Sequence, residues 1–234
     1  MAHSPYDLIA EEYYDDFHKT SRNFDEATKG TIKDIVDLIP DEGLILDIGS
    51  GKGRVCEYLG VDSNRVIQLD SSQKMLQLEP REKCLMRVLS NAEKLPFLNA
   101  DFICVTAFLC DPYLGLNFIS EAYRVLKEGG VFLATNPTYR WALALREVLS
   151  LKIRLTRFKT KNGIEIKLPS IVVPDEQLID MLKVSGFDMS KINITEYTLP
   201  KSTNIISPDI KIAADKLNLN IFDLPILTRI IARK

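Results

Sequence analysis

Apolar residues gather in short runs that polar turns interrupt. Leu44-Ile45-Leu46-Asp47-Ile48 runs into Gly49-Ser50-Gly51-Lys52-Gly53, the pattern of a buried strand opening into a tight loop and then a helix. A second apolar segment, Arg65 to Leu69, ends in Asp70, and further strands are expected at Leu85 to Leu89, Phe102 to Thr106 and Val131 to Thr135. Ile32, Ile35, Val36 and Ile39 share a helical face, so a helix is expected from near Ala27 to Ile39, ended by Pro40. Another is expected from Asp111 to about Lys127, with Asp111 as cap, Pro112 at the first position and Gly129-Gly130 beyond its end.

After Asn136 the pattern predicts a helix from Trp141 to Leu151. Alternating apolar and basic residues then flank Asn162-Gly163, the strongest short-range signal for a hairpin. A two-stranded ribbon is therefore expected at 153–168, with Ile153, Leu155 and Ile166 packing toward the domain. Lys152, Arg154 and Lys159 or Lys161 would line its wet face. Helices at Pro174 to Gly186 and Pro208 to Leu217, and strands at Ile192 to Leu199 and Ile226 to Ala232, complete the pattern.

The glycine loop narrows the chemistry. Glycine at every second position admits positive φ and lets a ligand approach main-chain N–H groups closely. A dinucleotide fingerprint fails, because its third glycine would fall on Arg54 or Cys56, and no phosphate-gripping G-x-x-x-x-G-K-[ST] string is present. What remains is Asp47-x-Gly49-x-Gly51-x-Gly53, followed by an acid, Asp70, at the tip of the next strand. An acid in that place can accept hydrogen bonds from both hydroxyls of a ribose.

These residues resemble the class I S-adenosylmethionine-dependent methyltransferases, of the small-molecule and quinone-biosynthesis type. The resemblance extends in order over residues 6–136. Tyr6-Asp7 to Tyr13-Tyr14-Asp15 is similar to a segment that folds over the cofactor in that family, so Tyr13 or Tyr14 would cover it. Asp70-Ser71-Ser72-Gln73-Lys74-Met75 would set Met75 against the adenine, although Ser72 also reads as a helix cap with Met75 in the core. Asn91-Ala92-Glu93-Lys94-Leu95-Pro96-Phe97 resembles the family's D-A-E-x-L-P-F loop, with Asn91 in the place of the acid that receives the adenine amino group. Tyr123 to Gly130 matches its R-V-L-K-P-G-G string with Glu128 for proline, and Ala107 to Cys110, Phe108 included, would lie where substrate and methyl meet.

The resemblance implies a doubly wound α/β fold of seven mostly parallel strands with helices on both faces and an antiparallel edge strand, the last in the chain. It implies S-adenosylmethionine as cofactor and S-adenosylhomocysteine as product. The cofactor-binding set it assigns is Tyr14, Asp47, Gly49, Ser50, Gly51, Gly53, Asp70, Ser71, Met75, Asn91, Ala92, Glu93 and Phe108. Asp111 and Tyr14 are candidate catalytic residues, although Asp111 reads more readily as a helix cap.

Composition changes this picture little. The formal net charge of −2 offers no field for nucleic acid or a membrane surface. Cys56, Cys84, Cys104 and Cys110 form no C-x-x-C pair and read as buried thiols of a cytoplasmic protein; His3 and His18 form no metal cluster, and His18 reads as solvated. The longest uncharged apolar stretch, Phe102 to Cys110, is far short of a membrane span. The expected organisation is one domain, with a helical lid at 1–40, a cofactor half at 41–136, a helix and ribbon at 137–173 and the remaining sheet at 174–234. The expected partner is a small methyl acceptor, anionic if the basic ribbon faces it; the alternative is a protein that binds the cofactor without transferring its methyl.

Overall fold

The alternating pattern folds around a seven-stranded sheet in this computed structural model, which describes residues 4–78 and 84–234; His3 lies outside them. The sheet contains β1 (Leu44–Ile48), β2 (Val66–Asp70), β3 (Met86–Leu89), β4 (Phe102–Phe108), β5 (Leu126–Pro137), β8 (Asn193–Tyr197) and β9 (Leu227–Arg233) in the order β3-β2-β1-β4-β5-β9-β8. Strands β1 to β5 pair in parallel, and β9 is antiparallel to both of its neighbours. The antiparallel strand is last in the chain, as expected, but it lies inside the sheet rather than at its edge. Its Leu227, Ile230 and Ala232 are fully buried, which an edge position would not provide.

Helices cover both faces. Along β1, Leu46 and Ile48 pack with α5 (Leu116–Val125) and α7 (Asp175–Ser185), whereas Ile45 points to the other face with α3 (Val55–Leu59) and the end of α2 (Lys19–Ile32). On that second side α6 (Tyr139–Val148) and α8 (Pro208–Lys216) pack together with Phe24 and Ala27 of α2. Two short helices, α1 (Ala10–Tyr13) and α4 (Gln73–Gln77), lie near the carboxyl ends of the strands.

Three sequence expectations shift. The helix placed at 27–39 runs instead from Lys19 to Ile32, with a separate 3-10 turn at Val36–Leu38. Its buried face includes Asn23, Thr28 and Thr31, polar residues that an apolar period cannot register. The helix placed at 111–127 is broken: Asp111–Tyr113 form a 3-10 turn, Gly115 is extended, and α5 begins at Leu116 without a side-chain cap. Asp111 is therefore not its cap. In the ribbon, β6 (Leu155–Lys159) pairs with β7 (Glu165–Pro169) around Asn162-Gly163 as expected, but the strands begin two residues later than the pattern suggested. Ile153 is consequently exposed, and Phe158, Ile166 and Leu168 form the inward face.

The ribbon is bolted down by a buried cation. Arg146 of α6 is 5% exposed; its Nη2 donates to the Ser170 carbonyl at 2.8 Å and its Nε to the Leu155 carbonyl at 3.1 Å. Removing it strands buried acceptors at the ribbon's base. Arg146→Met should lower stability in urea unfolding by about 1–3 kcal/mol, and an unchanged midpoint would mean the ribbon is held by its apolar face alone.

Candidate active site

The parallel strands β1, β2 and β4 end at one rim, and their crossing loops leave a cavity that opens to solvent. Tyr14, Asp47, Gly49, Ser50, Gly51, Asp70, Ser71, Met75 and Phe108 line it, as the sequence suggested. Gly53, Asn91, Ala92 and Glu93 do not line it. Gly53 sits over the buried Gln68 amide, and Asn91 is exposed, its Oδ1 accepting from the Glu93 N–H at 2.8 Å in a local turn.

The glycines matter for space rather than for donation. Gly49 and Gly51 have φ of 66° and 52°. A Cβ at Gly49 would lie 2.6 Å from Cys110 Sγ, and one at Gly51 would collide with the Tyr14 hydroxyl. The loop's N–H groups are already engaged: Ser50 donates to the Leu69 carbonyl, Gly51 to Asp70, Lys52 to the Tyr14 hydroxyl and Gly53 to the Ser50 carbonyl. The expectation that a ligand would take those N–H groups gives way to a cradle that the protein itself satisfies.

Asp70 ties this cradle to α4. Its Oδ2 accepts from Gly51 N–H and its Oδ1 from Ser72 N–H, each at 2.8 Å, while Ser72 Oγ caps α4 at Met75 N–H. Burial raises its carboxyl above the ordinary range, and the N–H groups oppose that shift. Both oxygens keep a lone pair, so the two ribose hydroxyls still have acceptors. Asp47 lies beside it, taking a hydrogen bond from Thr106 Oγ1 at 2.8 Å; burial pushes its carboxyl up to about 7.

The amino-terminal segment forms one wall of the pocket. Asp7 Oδ1 accepts from Ser72 Oγ at 2.7 Å and Lys74 N–H at 3.1 Å, which docks the segment on the start of α4. Tyr6, Tyr13 and Tyr14 then line the cavity, with Tyr13 stacked parallel to Phe158 of the ribbon. Ribbon cations hold the same segment and its neighbours: Lys161 pairs with Asp15 at 2.5 Å, and Arg157 with Asp209 at 3.2 Å. His18 stacks on Phe158 with ring centroids 3.9 Å apart, so it packs rather than standing in solvent as the sequence reading had it. Asp111 is not among the lining residues, although its neighbours Cys110 and Pro112 are. Burial pushes its carboxyl up to about 6, with a hydrogen bond from Ser170 and the nearby Arg146 opposing.

Sequence reasoning missed another wall of the cavity: Ser21, Asp25 and Thr28 of α2, with Arg54 just before α3 and Tyr58 within it. Arg54 Nη1 lies 2.5 Å from Asp25 Oδ1, which also accepts from the Tyr58 hydroxyl. The i, i+4, i+7 spacing of Ser21, Asp25 and Thr28 was the available signal, but nothing apolar marked it.

A model of the methyltransferase domain family matches residues 46–134, from β1 through β5. A Thermotoga maritima structure described as a methyltransferase, a possible histamine N-methyltransferase, superposes with a TM-score of 0.62 at 16% identity, covering 98% of each chain. A Haloferax volcanii protein solved in complex with the Trm112 methyltransferase activator superposes at 0.66 with 13% identity, over 100% of this chain and 99% of that one. At such identities these likenesses concern the fold. An uncharacterized protein of Methanocaldococcus jannaschii is 28% identical over 215 residues, 81% of this chain and 82% of that one.

The chain thus has the class I, Rossmann-like fold seen in S-adenosylmethionine-dependent methyltransferases, and its residues 46–134 match the methyltransferase-domain model. S-adenosylmethionine is the cofactor of that class. The pocket fits it: Ser50 Oγ in the loop is buried with no partner, and a buried carboxylate stands at the tip of β2.

Two outcomes follow from these carboxylates. Asp70→Ala should weaken S-adenosylhomocysteine binding on the order of 10- to 100-fold in calorimetric titration and also lower stability, since Gly51 and Ser72 lose their acceptor. Unchanged affinity in a folded variant would leave Asp70 a loop tie only. Asp47 ionises near 3.9 when unfolded and about 7 when folded, so the folded state holds more protons in that window. Its contribution to stability therefore falls as pH rises from about 4 to 7. In Asp47→Asn the melting temperature of the free protein should vary less between pH 5 and 8; an identical pH profile would refute the assignment.

Proposed function

We propose that this protein transfers a methyl group from S-adenosylmethionine to a small-molecule acceptor, in line and chiefly by positioning. The observation that carries the reading is the tyrosine-lined pocket in which Asp70, the Gly49 to Gly51 cradle and the end of β4 share one cavity. Bound there, the cofactor supplies a methyl on an already activated sulfonium. Asp70 would hold its ribose, Met75 would pack against its base, and Asp47 and Ser50 would face its amino-acid end.

The chain's own task is then geometry. Tyr6, Tyr13 and Tyr14 exclude water from the cavity, and Phe108 to Cys110 form the wall where an acceptor would meet the methyl. Leu109 there has a φ of 55°, a strained setting for leucine that its N–H bond to the Thr135 carbonyl at 2.8 Å maintains. Holding nucleophile and methyl in register can supply roughly 7–11 kcal/mol of the barrier. No side chain need act as a strong base for an acceptor that is already nucleophilic. The cation pairs of the ribbon argue against the anionic acceptor that its composition suggested, since Arg157 and Lys161 are tied to Asp209 and Asp15. The absence of a disulfide at Cys84, Cys104 and Cys110 supports a reducing, cytoplasmic setting.

Incubation with methyl-labelled S-adenosylmethionine and a metabolite extract should yield a labelled small product, and S-adenosylhomocysteine should bind in calorimetry. Binding without any labelled product would favour a protein that senses the cofactor. Absence of binding would overturn the reading altogether.

A further inference from the structure

Among the described residues, two that line the cavity hold a buried polar atom with no hydrogen-bond partner: Ser50, in the glycine loop, and Thr28, on α2. Ser50 belongs to the cofactor's side. Thr28 does not, and it is 1% exposed. A threonine inside a helix commonly donates its hydroxyl to a carbonyl one turn back. Thr28 leaves that bond unmade, and an unpaired buried hydroxyl costs stability unless something completes it.

The surroundings of Thr28 indicate what that something is. Asp25, one turn earlier on α2, already accepts from the Tyr58 hydroxyl and pairs with Arg54. Arg22, the other cation lining the cavity, pairs with Asp16 at 2.9 Å. The pocket charges on this wall are thus matched before any acceptor arrives. The Tyr58 ring lies 6.1 Å, centroid to centroid, from Phe108 at the end of β4, so the wall continues from Thr28 through Tyr58 to the place assigned to the transferable methyl.

Resting on the methyltransferase reading above, we infer that Thr28 is a specificity-determining residue of an acceptor subsite built by α2 and α3, and that the acceptor is a small uncharged molecule. It presents a hydroxyl to Thr28 and an aromatic or cyclic body to Tyr58 and Phe108. An ionic acceptor would have to break the Asp25–Arg54 or Arg22–Asp16 pair to find a counter-charge. A neutral hydroxyl, able both to donate and to accept, completes the one unpaired group on this wall.

The test uses the full chain saturated with S-adenosylhomocysteine and four probes of similar size: 4-methylphenol, benzyl alcohol, benzylammonium and benzoate. Binding is read by ligand-observed NMR and calorimetry. The two neutral probes should bind, and the two ions should bind at least tenfold more weakly. Thr28→Val keeps the shape but removes the hydroxyl; it should weaken the neutral probes by roughly 2- to 12-fold while leaving S-adenosylhomocysteine affinity unchanged. Thr28→Ser should restore them, a rescue that a purely structural role would not give. Preference for either ion, failure of both neutral probes to bind, or equal binding by parent and Thr28→Val overturns the subsite. Failure of S-adenosylhomocysteine to bind the parent would instead overturn the methyltransferase reading, which keeps the two separable.

Discussion

The structure turns on one carboxylate. Asp70 ends β2, and parallel pairing with β1 places it directly beside the loop that leaves Ile48. Two backbone donors from different elements, Gly51 N–H and Ser72 N–H, converge on it at 2.8 Å. That single group fixes the curvature of the glycine loop, the start of α4 and, through Ser72 Oγ, the docking of Asp7 from the amino-terminal segment. Burial disfavours its charge, while the N–H groups and a bound ribose favour it. The cofactor would thus strengthen the tie that shapes its own site.

How much of this was legible depended on whether a residue faced core or cavity. The strands were readable because each buries an apolar run in the sheet, and Asp47, Gly49, Gly51 and Asp70 because their spacing has few other uses. The ribbon was readable from Asn162-Gly163, although its phase slipped: Lys152 to Arg154 continue the alternation but precede the first paired residue, Leu155. The α2 wall was invisible for the opposite reason. Asn23, Thr28 and Thr31 are buried yet polar, so a search for apolar period places the helix too late in the chain and treats its buried polar face as surface. Asp111 before proline read as a helix cap, but Gly115 is extended and starts the helix afresh.

The amino-terminal segment and the ribbon are distant in sequence and form one roof. Ile9, Phe158 and Leu168 pack as a small separate core, with Tyr6 and Tyr13 against it. One of the basic residues that made the ribbon look like an anion trap serves this roof: Lys161 reaches Asp15, and its N–H donates to Glu12 at 2.8 Å. Exposed ion pairs of this kind contribute little stability each. Their value lies in orientation, because they set which face of the segment, the tyrosine face, turns toward the cavity.

Charge then separates the two halves of the pocket. On the cofactor's side stand Asp47 and Asp70, carboxylates whose ionisation burial penalises and which a ligand bearing positive charge and hydroxyl donors would relieve. On the α2 side each charge already has its opposite, and the unmatched group is a hydroxyl. A site that must bring a cationic donor against a second molecule gains from this division, because a second unpaired carboxylate there would compete for the cofactor's charge and draw it away from the end of β4. A neutral, hydrogen-bonding wall leaves the acceptor to be chosen by shape and one polar contact, and leaves the cofactor a single electrostatic minimum in which to settle.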